Sequence, residues 1–351
     1  IMGSIEIKSK KKMSKTKKII IILVSLFVVM GGSFAFLLYG PYSGFREWLI
    51  TTAMTTMSHQ YLATWFYSDE TINEVLNNNV VIESGDSTDT SLIEFDDIDF
   101  NSYANEYEKE ILTKDEGNDI YKLINITGNG YKGYLVAVYD PKKVEVVTSK
   151  YLGSSGQYLV DMAKENDAVV AINGGGFDDP EYMSTGGRPL GVVIHNGKIV
   201  TNGDYGSSGF GGIIGFTSDG KFYLGKESAS EAISNGIKEA VSFGPFLIVN
   251  GKRAFIKGNG GWGTAPRTAI GQRKDGIVLF LVIDGRTVSN PGADMVDLTD
   301  IMERYGAYNA ANLDGGTSCG LVINNKLIND PISGSGKHST RPIPTGFIVK
   351  K

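Results

Sequence analysis

Short apolar segments with alternating polar positions follow one another from about residue 121 to the end of the chain. Alternation with a period of two predicts β-strands, and Asn-Gly or Asp-Gly pairs between segments predict tight hairpin turns. The expected strand regions are 131–149, 167–174, 190–200, 211–225, 240–254, 267–285 and 319–329. The first of these is expected to be a hairpin that turns at Asp140-Pro141.

Two segments between these strands have the period of a helix instead, residues 156–167 and 294–307. The second places its large apolar side chains on one face and ends at Gly306, a residue that commonly terminates helices. Those side chains are Met295, Leu298, Ile301, Met302 and Tyr305. Many short strands and few helices predict an α+β fold with a mixed or antiparallel β-sheet core and a few packed helices.

The amino-terminal region has a different pattern, an uncharged apolar run from Ile19 to Tyr39. Its length matches the roughly 20 residues that cross a bilayer. A cleaved signal peptide would need a shorter apolar region and a small-residue exit, which residues 31–44 match poorly. Lysines cluster before the run: Lys8, Lys10, Lys11, Lys12, Lys15, Lys17 and Lys18. We therefore predict a basic cytoplasmic tail (1–18) and a single transmembrane anchor (19–40), with the rest of the chain outside the cell membrane.

Residues 41–120 are predicted to connect this anchor to the strand-rich region. Large apolar residues recur near helical intervals over 45–66, which indicates a juxtamembrane helix. Residues 83–119 carry thirteen Asp or Glu against two lysines, so they are interpreted as an acidic, partly disordered linker. The folded domain is then expected to span residues 121–351.

Composition narrows the function classes. The chain of 351 residues has a net charge of −5, and its leader holds seven Lys and one Glu (+6), so the exported part carries −5 − 6 = −11. Such a surface does not favour nucleic acid as a partner. Cys319 is the single cysteine, so the domain has no internal disulfide and depends on its core.

Polar residues followed by glycine end three apolar strands. Asn173 precedes Gly174 and Gly175, and Asp284 and Asp314 each precede a glycine in the same way. Glycine permits close approach of a ligand to the backbone, and strand ends commonly meet at one pocket. Taken alone, each Asp-Gly pair is also typical of an ordinary turn.

Four arginines lie near these strand ends in the sequence, and each is flanked by Pro, Gly or Thr. They are Arg188, Arg267, Arg286 and Arg341. A guanidinium presents a planar fork that suits a phosphate or carboxylate. Any one of them could pair with a surface carboxylate, but four together in an acidic domain indicate an anion site.

Parts of the sequence also match two other kinds of site. Residues 316–320 fit the G-x-S-x-G pattern of serine hydrolases, with Asp330 and His338 following, but a strand signal rather than a helix follows Ser318. No cysteine or histidine cluster has zinc spacing, and residues 177–181 could donate oxygens to calcium without EF-hand spacing. We expect no cofactor, with a divalent cation such as Ca²⁺ left open.

Seven motifs in order, from about 121 to 350, resemble the phosphodiester glycosidase family. They are AINGGGF, GGRPLGVVIHNGK, FGPFLIVNGK, PRTAIG, DGR, GADMVDLTDIMERYGAYNAANLDGGTS and RPIPTGFIV. The resemblance implies a hydrolase that removes a sugar joined through its anomeric carbon to a phosphodiester, leaving a phosphomonoester. In bacterial relatives such an activity is associated with exopolysaccharide or cell-envelope glycans, which would be the partners of this membrane-anchored extracellular enzyme.

A phosphodiester is already a good leaving group, so we expect charge stabilisation to matter more than acid catalysis. Arg267 and Arg286 are predicted to bind the phosphate, and Arg341 is the next candidate for this role. Asp284 and Asp314 are the predicted carboxylate pair, one acting on water or as nucleophile and the other stabilising the oxocarbenium-like sugar. The predicted substrate-binding set is Asn173, Gly174, Gly175, Arg188, Gly315, Gly316, Thr317, Ser318 and Arg341. The alternative is a non-catalytic glycan-binding or envelope-assembly protein on the same fold.

Overall fold

The computed structural model describes residues 13–56, 59–95, 98–179, 184–203, 211–333 and 336–351. The chain divides into two compact units, residues 1–49 and 50–351. Eight α-helices are present in the described ranges. They are α1 (Lys15–Tyr39), α2 (Ser43–Met54), α3 (Tyr61–Thr64), α4 (Asp69–Asn78), α5 (Glu106–Leu112), α6 (Leu159–Glu165), α7 (Ala229–Ser234) and α8 (Met295–Arg304).

In the first unit, α1 is 25 residues long and has exposed apolar side chains along most of its length. At about 1.5 Å per residue, a helix of this length can cross a bilayer core of about 30 Å. The Ser14 side chain caps it by accepting a hydrogen bond from the Lys17 amide. By length and composition α1 is thus a candidate membrane span, as the apolar run predicts. Lys8, Lys10, Lys11 and Lys12 lie outside the described residues.

The second unit contains three large antiparallel sheets and one small one. The seven-stranded sheet has the order β12 (Lys252–Arg253), β11 (Phe246–Val249), β16 (Ala307–Leu313), β14 (Arg267–Arg273), β15 (Val278–Asp284), β3 (Tyr131–Val138), β2 (Tyr121–Gly128). The first five-stranded sheet has the order β7 (Lys198–Asn202), β6 (Val192–His195), β10 (Ile237–Phe243), β8 (Gly212–Thr217), β9 (Phe222–Gly225). The other has the order β18 (Lys326–Leu327), β17 (Leu321–Ile323), β5 (Ala168–Asn173), β19 (Thr345–Lys350), β4 (Val144–Thr148). The small sheet pairs β1 (Val80–Ile82) with β13 (Phe255–Lys257).

The seven-stranded sheet is buried on both faces, which explains the continuous apolar run in β15. One face joins a central core that receives side chains from all three large sheets, and the other packs on α5 and α8. Alternate residues of β15 belong to the two cores: Val278, Phe280 and Val282 to the first, and Leu279, Leu281 and Ile283 to the second. Because strand side chains alternate between faces, a strand buried on both faces must be apolar at every position.

The predicted α+β class with an antiparallel core is confirmed, including the apolar N-terminal helix. The prediction of α8 is also accurate, since Asp294 and Asp297 form a capping box before it and Gly306 follows with a positive φ of 82°. The hairpins at Asn196-Gly197 and at Asn324-Asn325 are present.

Three local predictions differ from the structure. Residues 131–149 do not form a hairpin, because Asp140 caps a short 3₁₀ turn that carries the chain from β3 into a different sheet. The helix expected over 45–66 is interrupted between α2 and α3.

The third difference concerns the acidic linker, which is tied to the body of the second unit. The Glu83 carboxylate accepts hydrogen bonds from the amides of Gly211 and Phe246 at 2.7 and 2.6 Å. Ile93, Ile111 and Leu112 are buried. A few well-placed apolar and acidic side chains therefore dock a segment whose composition alone indicates disorder.

Candidate active site

The corner after β16 is built where two strands end side by side. The Asp314 amide donates to the Gly174 carbonyl at 3.2 Å, and Asn173 Nδ2 donates to the Asp314 carbonyl at 2.7 Å. A Cβ on Gly174 would lie 3.0 Å from the Thr345 backbone, so glycine is needed for this close approach. The ends of β5 and β16 are thus held together, and the Asp314 side chain extends from the junction.

The Asp314 carboxylate is held by two donors from its own corner. The Gly315 amide donates to Oδ1 at 2.9 Å, and the Ser318 hydroxyl donates to the same carboxylate. Burial raises the pKa of Asp314 to about 6, and the two hydrogen bonds limit that rise. A carboxyl group with this pKa can exchange a proton near neutral pH, as a general acid or base must.

Ser318 lies in a 3₁₀ turn over Gly316–Ser318, and β17 follows it rather than a helix. His338 is exposed and its Nδ1 lies 2.6 Å from Asp330. No histidine lines the cavity around Ser318 among the described residues. Ser318 therefore lacks the base that a serine nucleophile requires.

Arg267 is the first residue of β14, and its side chain is buried. Its Nε donates to the Ala293 carbonyl at 3.2 Å, and its Nη2 donates to the carbonyls of Trp262 and Gly263 at 2.5 and 2.7 Å. Within the described ranges no carboxylate lies at ion-pair distance from it. Burial lowers the pKa of Arg267 to about 10, which leaves the group charged at neutral pH. A buried, charge-uncompensated guanidinium is costly, and an anionic ligand would compensate its charge.

Two more arginines approach the same corner. Arg286 has a positive φ of 66°, and its Nη1 donates to Thr317 Oγ1 at 2.6 Å. Arg341 Nη1 lies 2.6 Å from Asp179 Oδ2. Burial raises the pKa of Asp179, but the hydrogen bonds from Arg341 and Ser184 outweigh burial and lower the pKa overall. Asp179 is therefore ionised at neutral pH.

These groups surround one cavity of about 370 Å³. This volume lies at the lower end of the range for small-ligand sites. Its charged wall consists of Asp179, Arg267, Arg286, Asp314 and Arg341, and Gly315, Gly316, Thr317 and Ser318 form the adjoining turn. The apolar part of the lining comes from Phe177, Leu190, Phe243 and Trp262. Thr52, Thr55 and Thr56 also line it, as do Gly176, Thr264 and Ala265.

The structure brings together most, but not all, of the residues predicted from sequence. Asp314, Arg267, Arg286, Arg341, Gly315, Gly316, Thr317 and Ser318 all line this cavity. Asn173 is buried behind it, where its Oδ1 accepts from Thr268 Oγ1 and from the Gly320 amide. Gly174 and Gly175 are buried backbone positions beside Thr345, and Arg188 is exposed and outside the lining. Asn173 and Gly174 hydrogen-bond to the backbone of Asp314, and neither of them nor Gly175 lines the cavity.

Asp284 is the principal difference from the expected site. It is buried at the end of β15 and does not line the cavity. Its carboxylate accepts from Asn329 Nδ2 and the Asp330 amide, both at 3.0 Å, and burial raises the pKa of its carboxyl group. The segment 329–330 covers this strand end, so Asp284 does not form a carboxylate pair with Asp314 at the cavity.

The second carboxylate of the cavity is Asp179, in the segment considered for calcium. Its pairing with Arg341 gives it a partner other than a metal. Pro180 and Glu181 of that segment lie outside the described residues. Among the described residues, no group of three or more His, Cys, Asp or Glu side chains is placed to hold a metal ion. The expectation that no cofactor is required stays a prediction.

The apolar wall and the threonines of the cavity carry weaker sequence signals. Trp262 lies in a glycine-rich stretch and Asp179 directly follows another acidic residue, so both could have been considered as candidates. Thr52, Thr55 and Thr56 are about 200 residues away from Trp262 in sequence, and no local pattern relates them to it.

Comparisons with known proteins show what this chain is similar to. A family model described as phosphodiester glycosidase matches residues 166–350, which is 185 of 351 residues and just over half of the chain. The SPbeta prophage-derived uncharacterized protein YomE of Bacillus subtilis is 32% identical over 202 residues, covering 55% of this chain and 30% of that protein. The N-acetylglucosamine-1-phosphodiester alpha-N-acetylglucosaminidase of Mus musculus is 25% identical over 239 residues, covering 58% of this chain and 42% of the enzyme. The chain thus spans less than half the length of either relative.

A solved structure has a similar fold. It is the zebrafish N-acetylglucosamine-1-phosphodiester alpha-N-acetylglucosaminidase catalytic domain auto-inhibited by pro-peptide. The superposition has a TM-score of 0.55 at 24% identity and covers 68% of this chain and 86% of that one.

Proposed function

This chain belongs to the phosphodiester glycosidase family, and from that premise we propose that it hydrolyses the glycosidic bond of a sugar-1-phosphodiester. The products would be the free sugar and a phosphomonoester. One observation carries the proposal: a proton-exchanging carboxyl group, Asp314, and a buried guanidinium without a carboxylate partner among the described residues, Arg267, line the same cavity. A phosphodiester supplies an anion for Arg267, and hydrolysis of the adjacent glycosidic bond needs a proton acceptor for the attacking water, which Asp314 can be.

The arginines would stabilise the leaving group. As the bond between C1 of the sugar and the phosphate oxygen breaks, its electron pair goes to that oxygen and the phosphate gains negative charge. Arg267 and Arg286 present guanidinium groups that can bind the phosphate oxygens through charge-assisted hydrogen bonds. Because the phosphate leaves as a stabilised anion, the reaction places less demand on a general acid.

Asp314 would act on the attacking water. Its ionised carboxylate accepts a proton from water as the water oxygen forms the new bond to C1. Asp179 stays ionised and its negative charge would stabilise the positive charge that develops on the sugar ring in the transition state. The two carboxylates of the cavity thus differ in pKa and in role, which is a common arrangement in glycosidases.

The apolar lining suits the sugar and not the phosphate. Phe243 and Trp262 pack edge to face, with ring centroids 6.1 Å apart, and both line the cavity with Phe177. Sugar rings present C–H groups that pack against aromatic faces, whereas the hydroxyl groups need hydrogen-bond partners. Thr317 Oγ1, which accepts from Arg286, is a polar group of the same lining.

For the location of the reaction, we propose that α1 anchors the protein in the cell membrane as a single span. The lysines before it favour a cytoplasmic N-terminus, which places residues after Tyr39 outside. The substrate would then be a cell-envelope or exopolysaccharide glycan that contains a sugar-1-phosphodiester. The proposed reaction uses only the side chains of the cavity and no cofactor, so dialysis against a chelator should leave the activity unchanged.

A panel of substrates tests the proposal. The full chain in detergent is incubated with sugar-1-phosphodiesters that differ in sugar, anomer and aglycone, including teichoic-type polymers, and free sugar and phosphomonoester are quantified. We expect equal amounts of the two products from at least one substrate and none with Asp314→Asn. Binding of a sugar phosphate by a protein that releases no sugar from any substrate would favour the non-catalytic glycan-binding alternative.

A further inference from the structure

Thr52 of α2 and the two residues after this helix, Thr55 and Thr56, line the cavity although they lie far outside the residues that the family model matches. Three side-chain hydrogen bonds join this segment to residues 258–264, which we call the Trp262 loop. Asn259 Nδ2 donates to Thr51 Oγ1 at 2.8 Å, the Thr264 amide donates to Thr52 Oγ1 at 3.2 Å, and Thr55 Oγ1 donates to the Trp262 carbonyl at 3.3 Å.

The backbone conformation of the Trp262 loop depends on its contact with the segment that contains Thr52. Gly258, Gly260, Gly261 and Gly263 all have positive φ, between 57° and 81°. A Cβ on Gly263 would lie 2.4 Å from the Thr52 Cα, so the loop and the helix are in direct backbone contact. Four glycines with left-handed torsions give a flexible unfolded segment, and external contacts are needed to hold one conformation.

The same loop positions Arg267. The Trp262 and Gly263 carbonyls accept the hydrogen bonds of Arg267 Nη2, and the guanidinium carbon lies 5.9 Å from the centroid of the Trp262 ring. A displacement of the loop would therefore displace the guanidinium. Thr55 hydrogen-bonds to the first of these carbonyls, and Thr52 holds the loop at Thr264, so both threonines support the position of Arg267.

Of the three lining threonines in the segment 52–56, Thr52 has a hydroxyl hydrogen that remains free to bind a ligand. Thr56 Oγ1 donates to the Ala53 carbonyl at 2.8 Å, and Thr55 Oγ1 donates to carbonyls of its own helix and of Trp262. Thr52 Oγ1 accepts from the Thr264 amide, and no described residue accepts its hydrogen. A hydroxyl that accepts from the protein can donate its hydrogen to an anion.

We propose that Thr52 is a phosphate-binding and positioning residue of this site. Its hydroxyl donates to a phosphate oxygen of the substrate, next to Arg267, and its contact with the Trp262 loop fixes the position of that arginine. The inference rests on the proposed function for the identity of the ligand as a phosphodiester, and it adds a residue from the N-terminal segment to the binding site.

The test measures binding of inorganic phosphate to the full chain by calorimetry, with kcat and KM measured alongside. Thr52→Val keeps the branched shape but loses both the acceptor and the donor, and we expect phosphate binding to weaken by about tenfold or more. Thr52→Ser keeps the hydroxyl and should bind within about threefold of the unaltered protein. Thr64→Val is the matched control, because Thr64 is an exposed threonine of α3 outside the cavity, and it should change nothing.

In catalysis we expect Thr52→Val to raise KM while the midpoint of thermal unfolding changes little. Equal phosphate affinity in Thr52→Val and the unaltered protein, or an equal loss in the Val and Ser variants, would overturn the inference, as would absence of phosphate binding by the unaltered protein. If phosphate binding depends on Thr52 but no sugar-1-phosphodiester is hydrolysed, the proposed function fails, and Thr52 remains a binding residue for phosphate without the assignment of a phosphodiester substrate.

Discussion

Arg341 Nη1 lies 2.6 Å from Asp179 Oδ2, and both side chains line the cavity that contains Asp314. The two charges act on Asp314 in opposite directions, because the positive charge of Arg341 lowers the pKa of the Asp314 carboxyl and the negative charge of Asp179 raises it. Burial makes the largest contribution to the pKa of Asp314, and the two charges of the ion pair adjust it. Because the effects are of opposite sign, they can be separated by mutation.

We predict that kcat/KM falls below pH 6. Asp314 has a pKa of about 6 and acts as a base in the proposed reaction, so protonation removes the active form. Activity should decrease by about tenfold for each pH unit below this value, and Asp314→Asn should lower kcat by about 10²–10⁴-fold. Initial rates between pH 4 and 8 provide the measurement. A pH profile that stays level down to pH 4 would contradict the role of Asp314 as the base.

The same substitution should stabilise the protein at neutral pH. The unfolded chain releases the Asp314 proton near the ordinary pKa of 3.8, whereas the folded protein keeps it until about pH 6, so stability falls as pH rises between these values. Asp314→Asn removes that difference and keeps an oxygen for the Gly315 amide. We expect a gain of about 1–2 kcal/mol in the free energy of unfolding at pH 7, reduced by the partial exposure of the side chain. Denaturant unfolding at pH 4 is the control, where the gain should largely disappear.

We predict that Arg341→Gln and Asp179→Asn move the acidic limb of the pH profile in opposite directions. Loss of the positive charge should raise the pKa of Asp314 and shift the limb to higher pH, and loss of the negative charge should shift it to lower pH. The measurement is the midpoint of the limb in kcat/KM for each variant. Shifts in the same direction would show that the two residues act on Asp314 by a change of shape rather than of charge.

We predict that Arg267→Lys lowers kcat/KM by about 10²–10³-fold, the usual effect of removing one preorganised donor to a developing anion. Lysine keeps the charge but cannot make the divergent hydrogen bonds to the carbonyls of Ala293, Trp262 and Gly263. Arg253→Lys is the matched control, because Arg253 pairs with Asp300 and Glu303 away from the cavity. Similar activity in the two variants would remove Arg267 from the binding of phosphate.

Much of the site follows from sequence because strand ends can be recognised locally. Arg267 begins a strand and Asp314 follows one, and β14 pairs with β16 so that Thr268 lies opposite Leu313. Adjacent antiparallel strands place the start of one beside the end of the other, so these two residues meet. The turn residues Gly315 to Ser318 reach the same site because they directly follow Asp314 in the chain.

The remaining members of the site depend on which segments cover the strand ends, and local patterns do not determine this. Asp284 has the same signature as Asp314, a buried strand before it and a glycine after it, but residues 329–330 cover it. Asp179 and Thr52 reach the cavity from a loop and a helix whose positions depend on contacts distant in sequence, such as the one between Thr52 and Thr264. The acidic segment 83–119 docks for the same reason.

We predict that Asp284 supports the fold and not the reaction. Asp284→Ala removes the acceptor of the Asp330 amide and one of the two acceptors of Asn329 Nδ2, which should cost about 1–3 kcal/mol of stability. Because Asp284 lies outside the cavity, kcat/KM of the folded variant should stay within a few-fold of the unaltered protein. Asp284→Asn keeps one acceptor oxygen and should recover most of the lost stability. The measurement pairs denaturant unfolding with steady-state kinetics for both variants and for Asp314→Ala. A loss of kcat in Asp284→Asn as large as that in Asp314→Ala, with stability retained, would restore the carboxylate pair expected from sequence.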